Sequence, residues 1–394
     1  MNHDSLLQKR TRNKSIILRH IKNKNDTTLQ TELCQMTGLS KMTVASIVNE
    51  LKKEKLIKIS GHGKASSLGG RKPALIEINK KGACFVTASL DWNECVFAIS
   101  NMDCEIENER SSKIDFSQSS DKAIAEIGKN LNKIIKKSGI GKEKIRGIGV
   151  GMPGVIDSKE GICIYSAKFN WSNIPVAELL KKDCGLPVFI ETNVCLQALA
   201  EYNETLNKKA KTLFYINVGT GIGSAIIIDG QIYAGSNLMA GEIGHVVVDE
   251  KGVKCPCGNS GCLQMYFSEQ GFIAQFESLP KTEKTFTFDR QKAAASIFNA
   301  LSNGDSNAKA ILEKGASYLR RQILGAIGLL DPDCIILSGR VIQENRDFAS
   351  KEILEPLKTM MFHSKNRDLR LAEPDKRKNG ILIGASSKIY ENLF

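Results

Sequence analysis

Four side chains of metal-holding type fall between positions 245 and 262 of a 394-residue chain: His245, Cys255, Cys257 and Cys262, in an H-x9-C-x-C-x4-C arrangement. Three thiolates and one imidazole satisfy a tetrahedral zinc ion, and four protein ligands leave no position open for water. The pattern therefore describes a structural site rather than a hydrolytic one. Gly258 and Gly261 suit a tight metal knuckle. The cysteines lack the C-x-x-C spacing of a dithiol redox motif. The alternative is a turn carrying three unliganded thiols.

Two glycine-rich stretches invite a second chemistry. "GTGIG", Gly219 to Gly223, and "GVGMPGVID", Gly149 to Asp157, could let backbone N–H groups approach a phosphate or a sugar. A tight hairpin would use the same residues.

The elements that must hold these groups come from a soluble chain, with 42% hydrophobic and 25% charged residues. Its length points to two or three domains. No run of about 18 apolar residues predicts a membrane span, and the start of the sequence lacks the apolar core of a signal peptide. Eleven cysteines, most of them single, read as reduced thiols in a cytoplasmic protein. The net charge of +12 is unevenly placed: residues 1–81 hold 17 Lys+Arg against 6 Asp+Glu, so the other residues carry only +1. A basic first segment joined to a nearly neutral body suggests a polyanionic partner, against the alternative of a Lys-rich solvated face.

Within that first segment, "NKSIILRHIKNKN" predicts an amphipathic helix burying Ile16, Ile17 and Ile21. Thr27 and Gln30 have the spacing of a capping box, and Leu33 and Met36 fall on one side of the next helix. Gly38 supplies a turn and Ser40 a cap. The following helix buries Val44, Ile47, Val48 and Leu51 at i, i+3, i+4, i+7. Two short helices joined through "TGLS" have the form of a helix-turn-helix. Two β-prone runs around a Gly/Ser/Lys-rich loop then suit a wing. Lys41, Met42, Thr43, Ser46 and Asn49 would face the DNA major groove, and Lys64, Arg71 and Lys72 phosphates or the minor groove. The structural alternative is a helical hairpin packed on the body.

From about Gly82 strand runs alternate with helices, which predicts α/β sheets with helices packed on them.

The block "AGSNLMAGEIGHVVVDEKGVKCPCGNSGCLQ" resembles the ROK family, whose members carry E-x-G-H followed by C-x-C-G-x-x-G-C. The N-terminal helices with "GGRKP" are similar to the module that the family's repressors have and its sugar kinases lack. The resemblance implies a winged helix-turn-helix over 1–80 and a two-lobed actin-like, hexokinase-like body over 81–394. Lobe 1 would span about 81–200 plus the C-terminal helix, and lobe 2 about 201–374. It implies His245, Cys255, Cys257 and Cys262 as zinc ligands, with Glu242 and His245 also touching sugar hydroxyls.

The same resemblance exposes departures from the kinases. Their D-x-G-G-T phosphate loop corresponds to Asp91-Trp92-Asn93-Glu94-Cys95, where both glycines are gone. A carboxylate at Glu94 would repel phosphate, and side chains would obstruct its close approach. Their catalytic Asp, in E-N-D-A-N, corresponds to Asn193 in "ETNVC"; an amide holds a hydroxyl well but is no general base near neutral pH. Gln264 stands where the family has a Glu that contacts sugar. The expectation is therefore a repressor of sugar-use genes, not an enzyme. A neutral monosaccharide, with xylose favoured, would be held by Asn193, Glu242, His245 and Gln264. Its operator would be double-stranded DNA, and the assembly a homodimer or homotetramer. The rivals are a sugar kinase with an added DNA-binding domain, a zinc hydrolase, and regulation by a protein partner.

Overall fold

The computed structural model describes residues 3–23, 27–63, 73–206, 209–374 and 379–394. The chain divides into two compact units, Met1–Ala200 with Asn379–Phe394, and Glu201–Lys378.

The first unit begins with helix α1 (His3–Asn23), which buries Ile17, Leu18 and Ile21 while Ile16 stays half-buried. Thr28 and Leu29 form a short strand, β1 (Thr28–Leu29), and helix α2 (Gln30–Thr37) starts after it with Leu29 at its N-cap, where Glu32 accepts the Leu29 N–H at 3.0 Å. The capping role expected of Thr27 and Gln30 thus passes to the Leu29–Glu32 pair, because strand pairing claims Thr28. Leu33 is buried, whereas Met36 is 49% exposed. Gly38, at φ +67°, ends α2; a Cβ there would meet nothing within 4 Å, so it is the left-handed backbone that asks for glycine.

Ser40 caps helix α3 (Lys41–Lys53) by accepting the Thr43 N–H at 3.2 Å. Val44, Ile47, Val48 and Leu51 are buried, as their spacing predicts. Strands β2 (Ile57–His62) and β3 (Ala74–Ile78) follow as an antiparallel pair, and β1 joins β3's other edge. Lys64, Arg71 and Lys72, on the connection between β2 and β3, lie outside the described residues.

The body of this unit is a five-stranded sheet: β4 (Cys84–Ser89), β5 (Cys95–Asn101), β6 (Ile106–Ser112), β7 (Ile145–Met152) and β11 (Val188–Thr192). Its order is β11-β7-β4-β5-β6, with β4, β5 and β6 antiparallel and β7 and β11 parallel to β4. A three-stranded annex holds β8 (Val155–Asp157), β9 (Ile162–Ser166) and β10 (Trp171–Ile174). Helices α4 (Ser120–Ser138) and α5 (Val176–Cys184) share one core with the sheet face that carries Val86, Phe97 and Ile148. Phe85, one residue from Val86 and so on the opposite face, belongs to a second core. That core runs without a break from Ile17, Leu33 and Val44 through Phe85 to Ile389, Tyr390 and Phe394. Helix α6 (Asn193–Ala200) follows β11.

The second unit repeats the plan. Strands β12 (Thr212–Val218), β13 (Ile222–Ile228), β14 (Gln231–Ile232), β15 (Cys334–Ser338) and β16 (Arg370–Ala372) form a sheet ordered β14-β13-β12-β15-β16. Here too a hairpin is extended on one side by an antiparallel strand and on the other by two parallel strands. Numbered within each sheet, both run 3-2-1-4-5. This duplication is the actin-like, kinase-type α/β plan expected from the sequence. Helices α7 (Glu269–Ser278), α8 (Ala293–Ser302) and α9 (Ser306–Leu330) pack in its core with Phe267, Ile297 and Leu319. Three short helices follow, α10 (Arg340–Gln343), α11 (Arg346–Ala349) and α12 (Glu355–Met360). Helix α13 (Gly380–Leu393) returns to the first unit. Among the described residues no helix is long and apolar enough to cross a membrane.

Candidate functional site

The second unit brings His245, Cys255, Cys257 and Cys262 together, with one ligand atom from each and all four within 4.8 Å of one another. The loop that does this is built by backbone bonds. Val248 N–H donates to Gly261 O at 2.8 Å, Leu263 N–H to Val246 O at 2.9 Å, and Cys255 N–H to Asn259 O at 2.8 Å. Gly261 sits at φ +71°, and a Cβ there would lie 1.6 Å from Asp249 O, so no other residue fits. Asp249 is held in turn by the Tyr266 hydroxyl at 2.9 Å and Lys314 at 3.3 Å.

The donor separations carry the chemistry. Cys257 Sγ and Cys262 Sγ are 3.6 Å apart, and Cys255 Sγ and His245 Nδ1 3.8 Å. Two thiolates at about 2.3 Å from one ion define a tetrahedral edge of about 3.8 Å, and a thiolate–imidazole edge is slightly shorter. Separations of 3.6 and 3.8 Å lie close to such edges. The donor set therefore fits a closed, thiolate-rich metal ion, with Cys255 and Cys262 buried and Cys257 exposed.

Two of the residues expected to touch sugar adjoin this cluster. With His245 Nδ1 turned to Cys255, Nε2 lies 4.0 Å from Glu242. The side chains of His245 and Glu242 are 38% and 52% exposed, so the ring's second nitrogen and the carboxylate remain reachable. Gln264 is buried, and its amide donates to Cys255 Sγ at 3.2 Å. It is thus a neighbour of the candidate metal ligands as well as a candidate sugar contact, a pairing that the sequence alone did not disclose.

Asn193 belongs to the first unit, at the junction of β11 and α6. Its Nδ2 donates to Leu90 O at 3.1 Å, while its buried Oδ1 has no hydrogen-bond partner among the described residues. An acceptor left in this state is suited to a hydroxyl donor. Glu191 beside it accepts from Ser158 at 2.6 Å, Lys388 at 3.0 Å and the Thr192 N–H at 2.9 Å.

The stretch Asp91–Glu94 joins β4 to β5. Asp91 pairs with Lys168 at 3.3 Å, and the half-exposed Trp92 stacks on Phe116. "GTGIG" is the turn of the β12–β13 hairpin, closed by Gly219 N–H to Gly221 O at 2.9 Å. Its glycines have the turn role that the sequence left open.

On α3, Lys41, Met42, Ser46 and Asn49 are exposed, and Met42 is 85% so. Thr43 is half-buried, with its hydroxyl 2.9 Å from Ser40's. The structure adds Arg10 and Lys14 from α1. Arg10 donates to Glu50 at 2.7 and 3.1 Å and to Ser46 Oγ at 3.3 Å, and Lys14 pairs with Glu50 and Glu54. Arg10's hydrogen bond, ahead of Lys14's, holds the Glu50 carboxyl below its ordinary range. The signal was present in the sequence as two i, i+4 pairs of opposite sign, Arg10/Lys14 and Glu50/Glu54.

An actin-like duplication that carries a thiol–imidazole metal loop in its second half defines the class. The model of the ROK family matches residues 93–390, and the chain belongs to that family. It is similar over 386 residues, at 24% identity and covering 97% of this chain and 96% of the relative, to the xylose repressor of Caldicellulosiruptor bescii. It is 32% identical over 224 residues to a glucokinase of Halalkalibacterium halodurans, covering 55% of this chain and 66% of that one. A crystallised ROK family transcriptional regulator, a homologue of the E. coli MLC protein, shares the fold with a TM-score of 0.81 at 23% identity, over 98% of this chain and 97% of that one.

Proposed function

We propose that this chain is a sugar-responsive transcriptional repressor. A winged helix-turn-helix over about 1–80 would bind operator DNA, and a ROK body over about 81–394 would sense a monosaccharide and pair two copies. The observation that carries the reading is the α2–Gly38–α3 arrangement, with its exposed Lys41, Met42, Ser46 and Asn49. It precedes a body whose similarity to a xylose repressor extends over the added N-terminal segment.

Lys41, Met42, Ser46 and Asn49 would read base edges. Thr43 would support them through Ser40, and Lys64, Arg71 and Lys72 would hold phosphates. Zinc on His245, Cys255, Cys257 and Cys262 would fix the loop carrying Glu242 and His245. A metal ion here supplies a fixed charge and a cross-link, not a reacting water. Glu242, His245, Gln264 and Asn193 would hydrogen-bond a neutral sugar, with xylose the first candidate from the relative's name. Phosphoryl transfer is disfavoured by Asn93 and Glu94 in the loop after β4 and by Asn193 at the base position.

The test is selection of duplexes from a random DNA pool by the full chain, followed by retention assays with and without a monosaccharide panel. Specific retention that a sugar weakens supports the reading. Absence of any selected duplex would sink it. Phosphorylation of a sugar by ATP above background would replace it with the kinase.

A further inference from the structure

Helix α13 stands far from α1 in sequence yet completes the core in which α1 and α3 are packed. Its two faces are engaged with different things. On one side the Lys388 ammonium meets the Glu191 carboxylate at 3.0 Å, with the side chains only 20% and 7% exposed. Glu191 also accepts from Ser158 and from the backbone of Thr192, so this cation is fastened to the strand end that leads into Asn193. Two residues on, and so nearly opposite around the helix, the Tyr390 hydroxyl donates to Leu18 O in α1 at 3.2 Å. Lys22 lies over the Tyr390 ring at 4.0 Å, and Arg19 donates to Glu391 O at 2.6 Å.

In the turn before them the helix has no slack. Gly384 approaches α6 so closely that a Cβ would lie 1.9 Å from Leu196 O, and a Cβ on Gly149 of β7 would lie 2.7 Å from Ala385 O. The hydroxyls of Ser386 and Ser100 are 2.6 Å apart with both residues fully buried, which fixes the helix along its axis against β5. A buried ion pair is a poor way to gain stability over well-packed apolar residues and a good way to specify one arrangement. An apolar residue at 388 would hold a core; a lysine holds a register.

We propose that α13 is the rigid element coupling the Asn193 end of β11 and α6 to the DNA-facing helices, with Lys388 and Tyr390 as positioning residues on its opposite faces. This rests on the reading of Asn193 as an effector contact and α3 as a DNA contact. A hydroxyl bound at Asn193 would alter the strand end that Glu191 and Lys388 share. α13 would pass that change to Leu18 and Lys22 as a shift of a rigid element, because closely packed interiors transmit displacement rather than absorb it.

The experiment is amide hydrogen exchange on the full chain, which reports local opening segment by segment. It compares wild type with Lys388→Met, Tyr390→Phe and the double variant Lys388→Met with Glu191→Gln, which removes both charges and guards against a fold lost to one uncompensated carboxylate. Coupling predicts that Lys388→Met and the double variant speed exchange in residues 17–23 by roughly fivefold or more, although the Lys388 side chain is committed to Glu191. Tyr390→Phe should in turn speed exchange in residues 188–196. A second arm measures affinity for the duplexes wild type selects, where Lys388→Met should shift affinity by roughly fivefold or more. Exchange changes confined to the side of α13 each side chain touches, or a DNA affinity within about twofold of wild type, would overturn the coupling. If wild type selects no duplex, the DNA-binding reading fails separately, and the exchange arm alone decides whether α13 couples its two faces.

Discussion

Gln264 donates its side-chain amide to the Cys255 sulfur at 3.2 Å. This bond places the residue expected to contact sugar in direct touch with the His245–Cys262 loop. Gln264→Leu is expected to weaken metal affinity by about tenfold, the usual lower cost of removing an outer hydrogen bond to a ligand. Competition with a chromophoric chelator measures it. Affinity equal to wild type would show that the bond is incidental.

Removing the metal should loosen residues 246–262 and lower the melting temperature, since an ion that binds only the native state stabilises it by mass action. Zinc should restore the melting temperature and magnesium should not, because thiolates are poor ligands for a hard cation. Cys257→Ser, at the exposed ligand, should mimic the loss without opening a cavity. Calorimetry with chelator, and with each metal added back, tests all three.

The Arg10–Glu50 pair makes the attachment of α1 to α3 pH-dependent. Arg10's hydrogen bond depresses the Glu50 carboxyl below its ordinary value of 4.5. A group whose folded value is depressed contributes stability above its unfolded value and loses it as pH falls through the folded one. Exchange protection in α1 should therefore hold at neutral pH and decline below about pH 4.5. Glu50→Gln should flatten that decline. A variant whose acid profile matches wild type would remove Glu50 from the account.

Asn193→Asp restores the residue type of the kinases' base but should not restore turnover, because Asn93 and Glu94 still occupy the loop after β4. The new carboxylate would face Leu90 O, which now accepts from Asn193 Nδ2. The expected result is ATP consumption at background and a loss of about 1–3 kcal/mol of stability. Sugar-dependent ATP turnover would show that the loop tolerates its substitutions.

Much of this was legible in the residue pattern because it is local. The clustering of His245, Cys255, Cys257 and Cys262 follows from type and spacing within one loop, and the stripe Val44, Ile47, Val48, Leu51 is fixed by helical period. Ser40 and Gly38 were legible for the same reason, as a cap and a left-handed turn. The start of α2 was misjudged because strand pairing of Thr28 with Ile76, nearly fifty residues away, overrides a short-range capping signal. Leu18 took the buried position expected of Ile16 for a similarly distant reason: it shares a core with Tyr390 and Phe394. Gln264's bond to Cys255 depends on how a knuckle folds back on the helical turn Leu263–Met265 that leaves it, which spacing does not encode. Nor does it encode the duplicated 3-2-1-4-5 sheets, which share an order of pairing but no evident sequence repeat.

The path of the chain through its two units also orders its synthesis. Residues 1–200 leave the ribosome early, but α13 follows only after residues 201–378 have been made. Until then Phe85 and Leu18 lack the cover of Tyr390 and Phe394. At about 5–20 residues per second the helices that would meet DNA therefore wait on the order of ten seconds or more for their own core to be finished. A chain halted anywhere before α13 would present them without that part of their core.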